Sequence, residues 1–194
     1  MPEGYKTPDM KRIFIAIKNE SGDRLNETVS DFMNVLRAER IRWTDPGNMH
    51  VTLAFPGNTR DDAVEGIKKM LESTCTGYGH FTLVIKGAGV FRSLKDPRVI
   101  WLGIEQSDML DSLAGKVKSG LSALGIALED RPFNPHLTLG RIKGLSDIGF
   151  LQALLDKYAG VTIFEQKVPE VILYESILMP EGPVYKPLGA FRLS

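Results

Sequence analysis

The chain has 194 residues, enough for one compact unit or two small lobes with a sizeable core. Its 24 basic residues are matched by 24 acidic ones, which argues against a protein that grips nucleic acid along a long phosphate track and leaves room only for a local basic pocket. A single cysteine, Cys75, excludes an intramolecular disulfide framework and a cysteine-built zinc site. The polar start, Met1 to Met10, has no apolar core, so no secretory signal is expected. No run approaches the ~18 uninterrupted apolar residues of a membrane span. A cytoplasmic globular protein with no membrane partner is the expectation.

In chain order, Lys11 to Ile17 reads as a strand buried on both faces. Leu25, Val29, Phe32, Met33 and Leu36 then form one apolar stripe at helical spacing. Asp45-Pro46-Gly47-Asn48 is turn chemistry leading into an alternating strand, Met49 to Phe55. A second helix is predicted from near Thr59, with Asp61 and Asp62 in its first turn and Ala63, Ile67, Met70 and Leu71 inward. Phe81 to Ile85 is a further strand, ending around Gly87 and Gly89. The order then recurs: a strand over Val99 to Ile104, a helix capped by Ser107 and stopped at Gly125, and an alternating strand over Pro135 to Arg141. A last helix opens at Ser146 or Asp147 and closes at Gly160, before strands over 161–168 and 171–178.

The two passes keep register. His136 follows His50 by 86 residues, and Ile100 follows Phe14 by the same 86. This predicts an α+β duplication, a single bilobal domain over 1–194 with pseudo-repeats at approximately 11–91 and 97–179, the lobes sharing a cleft. On a strand, residues i and i+2 share a face. His50 and Thr52 therefore project together while Val51 and Leu53 face inward, and His136 and Thr138 repeat the arrangement over Leu137 and Leu139.

One His-x-Thr is a weak signal. Two, at equivalent places in a repeat, supply what hydrolysis of a phosphodiester needs: a base to deprotonate water, an acid on the opposite side to protonate the leaving oxygen, and hydroxyl donors for the non-bridging oxygens. The residues alone allow either histidine in either role. No Asp or Glu is paired with them as in a metal site, and no dinucleotide or Walker loop occurs, so neither metal nor cofactor is expected.

The motifs His50-Val51-Thr52-Leu53-Ala54-Phe55-Pro56-Gly57 and Pro135-His136-Leu137-Thr138-Leu139-Gly140-Arg141 are accompanied by Arg12 to Ala16, Trp43, Pro97 to Gly103, Tyr185 and Leu188. Together they resemble the two-histidine (2H) phosphoesterase superfamily, specifically the RNA 2′,3′-cyclic phosphodiesterase (2′-5′ RNA ligase) family, over nearly the whole chain. The resemblance implies two antiparallel sheets lining a central cleft with helices outside. It also implies metal-independent opening of a 2′,3′-cyclic phosphate to a 2′-phosphomonoester, with ligation to a 2′-5′ linkage as a side activity. His50 is then the proton donor and His136 the acceptor, and Thr52, Thr138 and Arg141 contact phosphate. Arg141 lies three residues beyond Thr138, so sharing its face requires a bend or a long reach.

Phe55 and Phe133 flank the motifs as candidates for base stacking, with apolar packing as the alternative. Arg92 and Arg98 read as solvated surface charge, His80 as incidental, and Cys75 as a small packing residue. The expected partner is RNA with a 2′,3′-cyclic phosphate end or a small nucleotide, taken by a monomer. Two alternatives stand beside this: a non-catalytic nucleotide- or RNA-end-binding module, and a phosphodiesterase for a small cyclic or 2′-5′-linked nucleotide.

Overall fold

A computed structural model of the chain describes residues 9–20, 22–180 and 182–194. The N-terminal segment from which no secretory signal is expected lies largely outside them. In order, the elements are β1 (Met10–Lys18), α1 (Asp23–Val35), β2 (Arg40–Trp43), a single 3-10 turn (Pro46–Asn48), β3 (His50–Arg60), α2 (Asp61–Cys75), β4 (Phe81–Phe91), β5 (Val99–Ile104), α3 (Asp108–Ala123), β6 (His136–Gly144), α4 (Ile148–Tyr158), β7 (Thr162–Val168), β8 (Glu170–Met179) and β9 (Gly182–Arg192). Among the described residues no helix is long and apolar enough to cross a membrane.

Every strand pairing is antiparallel. The order β7-β4-β5-β6 forms one sheet and β3-β1-β8-β9 the other, with β2 beside β6. The two meet at one residue pair, Val51 opposite Leu137. Beyond it β3 leaves β6, and β2 takes its place against Gly140 to Gly144. The α+β class with two antiparallel sheets about a central cleft is therefore as expected, the sheets being fused at the floor of the cleft.

One face of this assembly is covered by helices. Leu25 and Phe32 of α1, Ile67 and Leu71 of α2, Leu113 and Leu121 of α3 and Leu151 of α4 are all fully buried there, with Ile13, Ile15, Val51, Leu53, Leu137 and Leu139 of the strands. The opposite face is open and carries only a small cluster, Phe14, Ala16, Ile172 and Tyr174, with Tyr185 against it. Lobes in space and halves in sequence are not the same: β4 pairs with β5, and β8 pairs with β1.

The second helix starts at Asp61, where β3 ends at Arg60; its buried residues are Val64, Ile67, Leu71 and Cys75, with Met70 partly buried against the core as expected and Ala63 only partly buried. Met33 of the α1 stripe is 42% exposed. Ser107 Oγ accepts from Leu110 N–H at 3.3 Å and Asp147 Oδ1 from Gly149 N–H at 2.7 Å, so both expected caps are made. Strand β9 has no counterpart in the sequence reading. Its prolines, Pro183 and Pro187, speak against a strand, but β9 is the edge strand of its sheet, where a missing N–H leaves no ladder bond unmade.

Candidate active site

His50 opens β3 and His136 opens β6. Val51, Leu53, Leu137 and Leu139 are each at most 1% exposed on the helix-covered face, so the intervening His50, Thr52, His136 and Thr138 project onto the open face. The pairing of Val51 with Leu137 carries His50 toward Thr138 and Thr52 toward His136. The imidazoles are thus diagonal across adjacent strands, a separation of ~7–8 Å at the backbone.

Each imidazole is anchored in the same way. Nδ1 of His50 lies 2.7 Å from the Asn48 carbonyl, and Nδ1 of His136 lies 2.8 Å from the Asn134 carbonyl. A carbonyl only accepts, so Nδ1 carries the hydrogen and Nε2 is the atom left to gain or lose a proton. The two asparagines are themselves 86 residues apart, and this repeated Asn-x-His-x-Thr spacing is the signal that could have found the anchors.

Aromatic rings hold the imidazoles from the side. Phe14 lies 4.7 Å from His50, and Tyr185 meets His50 edge-on at 5.2 Å and 88°. Phe91 meets His136 at 4.6 Å and 84°. Phe14 and Phe91 are functional neighbours the sequence reading missed, because β1 and β4 are brought to the motifs only by the tertiary pairing. Tyr185, a match to the resembling family with no derived role, comes from the unforeseen β9.

Burial holds both histidines below their ordinary pKa. In each the carbonyl bond opposes this, and a neighbouring charge adds to it: His136 for His50, Arg141 for His136.

Arg141 reaches the site through a β-bulge. Ile100 pairs with Gly140 but Trp101 pairs with Thr138, so Leu139 is an extra residue in β6. The inward face then switches from Leu137 and Leu139 to Ile142, which puts Arg141 on the open face with His136 and Thr138. This is the bend that the three-residue offset requires. Register also slips in β3 beyond Thr52, where Ile15 pairs with Ala54 and Ala16 with Thr52. The position equivalent to Arg141, 86 residues earlier, is Phe55, which is 44% exposed beneath the Arg12 guanidinium at 4.9 Å.

The structure does not bring Phe133 to the imidazoles. It packs against the main core with the Lys118 ammonium 5.5 Å from its ring, which is the apolar alternative given above. Arg92 and Arg98 both pair with Asp96 in the turn between β4 and β5. His80 is exposed. Cys75 is 1% exposed in α2, and burial pushes its thiol up to about 11, too high for a thiolate nucleophile. The groups gathered on the open face can thus transfer protons at two points about a bound anion held by hydroxyls and a guanidinium.

The model of the LigT-like phosphoesterase family matches the chain twice, over residues 15–101 and 102–185. The RNA 2′,3′-cyclic phosphodiesterase of Methanothermobacter thermautotrophicus is 33% identical over 184 residues, which are 94% of this chain and 98% of that protein. The protein of the same name from Aquifex aeolicus is 37% identical over 155 residues, 78% of this chain and 81% of its own. The crystal structure of E. coli LigT complexed with 3′-AMP aligns with a TM-score of 0.73 at 25% identity, over 96% of this chain and 99% of that one. With the family model matching once up to Trp101 and once from Leu102, between them spanning nearly all of both lobes, the chain belongs to the LigT-like phosphoesterase family.

Proposed function

We propose that this phosphoesterase hydrolyses 2′,3′-cyclic phosphate termini of RNA at the 3′ ester, using His136 as proton acceptor and His50 as proton donor. The observation that carries the reading is the pair of imidazoles, each anchored through Nδ1 and set diagonally on one open sheet face. The names of the relatives supply the substrate class.

Nε2 of His136 takes a proton from water as the water oxygen bonds to phosphorus. The bond from phosphorus to the 3′ oxygen breaks, and Nε2–H of His50 protonates that oxygen. The product is a 2′-phosphomonoester, and the two imidazoles then exchange protons with solvent to reset. Thr52, Thr138 and Arg141 donate to the non-bridging oxygens, where charge builds in the transition state. Phe55 offers its exposed ring to the terminal base.

A charge asymmetry favours these roles. Arg141 is a permanent cation that opposes an imidazolium at His136. The charge opposing an imidazolium at His50 is that of His136, and it vanishes when His136 is neutral. These charges favour a single proton on His50, while burial, the larger cause at both rings, opposes a charge on either and the substrate phosphate offsets it at His50. With a 5′-hydroxyl in place of water as the nucleophile, His136 takes its proton, the 5′ oxygen bonds to phosphorus and His50 protonates the departing 3′ oxygen, which leaves a 2′-5′ linkage as a side activity.

The test is incubation with an oligonucleotide ending in a 2′,3′-cyclic phosphate, in EDTA, followed by analysis of the termini. A 2′-phosphate is expected. Unchanged cyclic ends, or a 3′-phosphate product, would overturn the reading.

A further inference from the structure

Arg42 and Arg141 are directly opposite each other in the pairing of β2 with β6. Ile41 and Trp43 pack against the main core, so Arg42 projects onto the open face with Arg141, and both side chains are exposed. Like charges directly opposite on antiparallel strands destabilise the pairing. Among the described residues, neither guanidinium has a carboxylate within the 4.0 Å that defines the ion pairs elsewhere in the molecule. Arg40, on the same strand, is occupied differently, donating to the Lys143 carbonyl.

The arm of Arg42 has a defined course. Its Nη2 lies 2.9 Å from where a Cβ on Gly182 would stand, so it extends from β2 to the first residue of β9, the strand that carries Tyr185 beside His50. Arg141, at the other end of the pair, shares the open face with His136, and its charge bears on that imidazole. The two cations therefore begin at the reacting centre and step one strand away from it. Strand β2 is also where the duplication is broken, since residues 125–135, which occupy the corresponding place before β6, form no strand. In a chain with no net charge, two guanidiniums that lack a carboxylate partner among the described residues and rise from paired positions on one open face attract anions, and a single cyclic phosphate between the histidines satisfies only the nearer one.

We propose that Arg42 binds the phosphodiester joining the terminal nucleotide to the one before it, so that the substrate class is the end of an oligonucleotide and not a free cyclic mononucleotide. This rests on the cyclic-phosphate reading of the groove and extends it by one nucleotide. Arg42 sets preference for chain length, whereas the histidines carry the chemistry.

The experiment compares kcat/KM for a 2′,3′-cyclic mononucleotide and for a trinucleotide with a 2′,3′-cyclic phosphate end, in wild type and Arg42→Gln. A third substrate is the trinucleotide with an uncharged methylphosphonate at the last internucleotide linkage. Wild type is expected to prefer the charged trinucleotide, and Arg42→Gln to reduce that preference about ten-fold or more, through KM. The methylphosphonate is expected to impose a similar loss on wild type and little further loss on Arg42→Gln, and the salt dependence for the charged trinucleotide to fall by a slope of about 0.7 in the variant. Equal losses on mononucleotide and trinucleotide, no loss on either, or additive effects of variant and methylphosphonate would overturn the proposal. Wild type inactive on all three would overturn the cyclic-phosphate reading itself.

Discussion

Because His50 and His136 each give their Nδ1 hydrogen to a carbonyl two residues upstream, Nε2 is the only ring atom that titrates, and burial decides where. Both histidines titrate below their ordinary value of about 6.5. Between the folded and unfolded values the unfolded chain binds more protons, so folding stability is intact above about pH 6.5 and declines as pH falls through the lowered native values. Urea unfolding across pH 4–8 is expected to show this decline, reduced in His50→Gln; a decline of the same size in the variant would remove His50 from the explanation. On the proposed reading, the substrate phosphate anion lies beside His50 and opposes the effect of burial there. The alkaline limb of kcat is therefore expected at higher pH than that of kcat/KM, and coincident limbs would show that the substrate anion does not act on the donor.

At the scale of elements, the site depends on strands that were only partly legible. The His-x-Thr motifs and helical stripes are local patterns, readable because period and spacing are properties of short windows. What aims the imidazoles is not local: Phe14 on β1, Phe91 on β4 and Tyr185 on β9 arrive through pairings between distant segments. The sequence reads β4 as Phe81 to Ile85, ending around Gly87 and Gly89, because these glycines look like punctuation, whereas the strand runs to Phe91. Gly89 is instead the floor for Trp101, whose ring atoms lie 2.3 Å from where a Cβ would be. Gly89→Ala forces that indole toward Thr138 and Phe91, and a cost of ~1–3 kcal/mol is expected in chemical denaturation. Unchanged stability would mean the indole has room to move. Tyr185 makes edge contacts with His50 and Phe14, at ~0.5–1.5 kcal/mol each. Tyr185→Ala is expected to lose about 1–3 kcal/mol and to lower kcat with little change in KM. Tyr185→Phe should keep the ring contacts and most of the rate; a Phe variant as impaired as Ala would shift the role from the ring to the hydroxyl.

For the whole molecule, the duplication was visible in the 86-residue spacing, while the exchange of β4 and β8 between lobes was not, since no residue pattern specifies which strand of the other half is its neighbour. That exchange ties the lobes together around the cleft, so the single bridge at Val51 and Leu137 is not the only link between them. The neutral charge sum has a consequence at the same scale. With cations local to the cleft, binding of a cyclic-phosphate oligonucleotide is expected to release few counterions, a log–log salt slope of about −0.7 to −1.4 for one or two phosphates. Affinity measured between 50 and 300 mM salt checks this, and a slope several times steeper would indicate a phosphate track along the surface.

The most direct test of the paired acid–base chemistry is the pH dependence of the single-turnover rate for wild type, His50→Ala and His136→Ala. A bell is expected for wild type, with each variant ~10²–10⁴ slower. His50→Ala should lose the alkaline limb and keep the acid one, and His136→Ala the reverse. Limbs that survive both substitutions, or that disappear in the opposite order, would contradict the assignment of donor and acceptor.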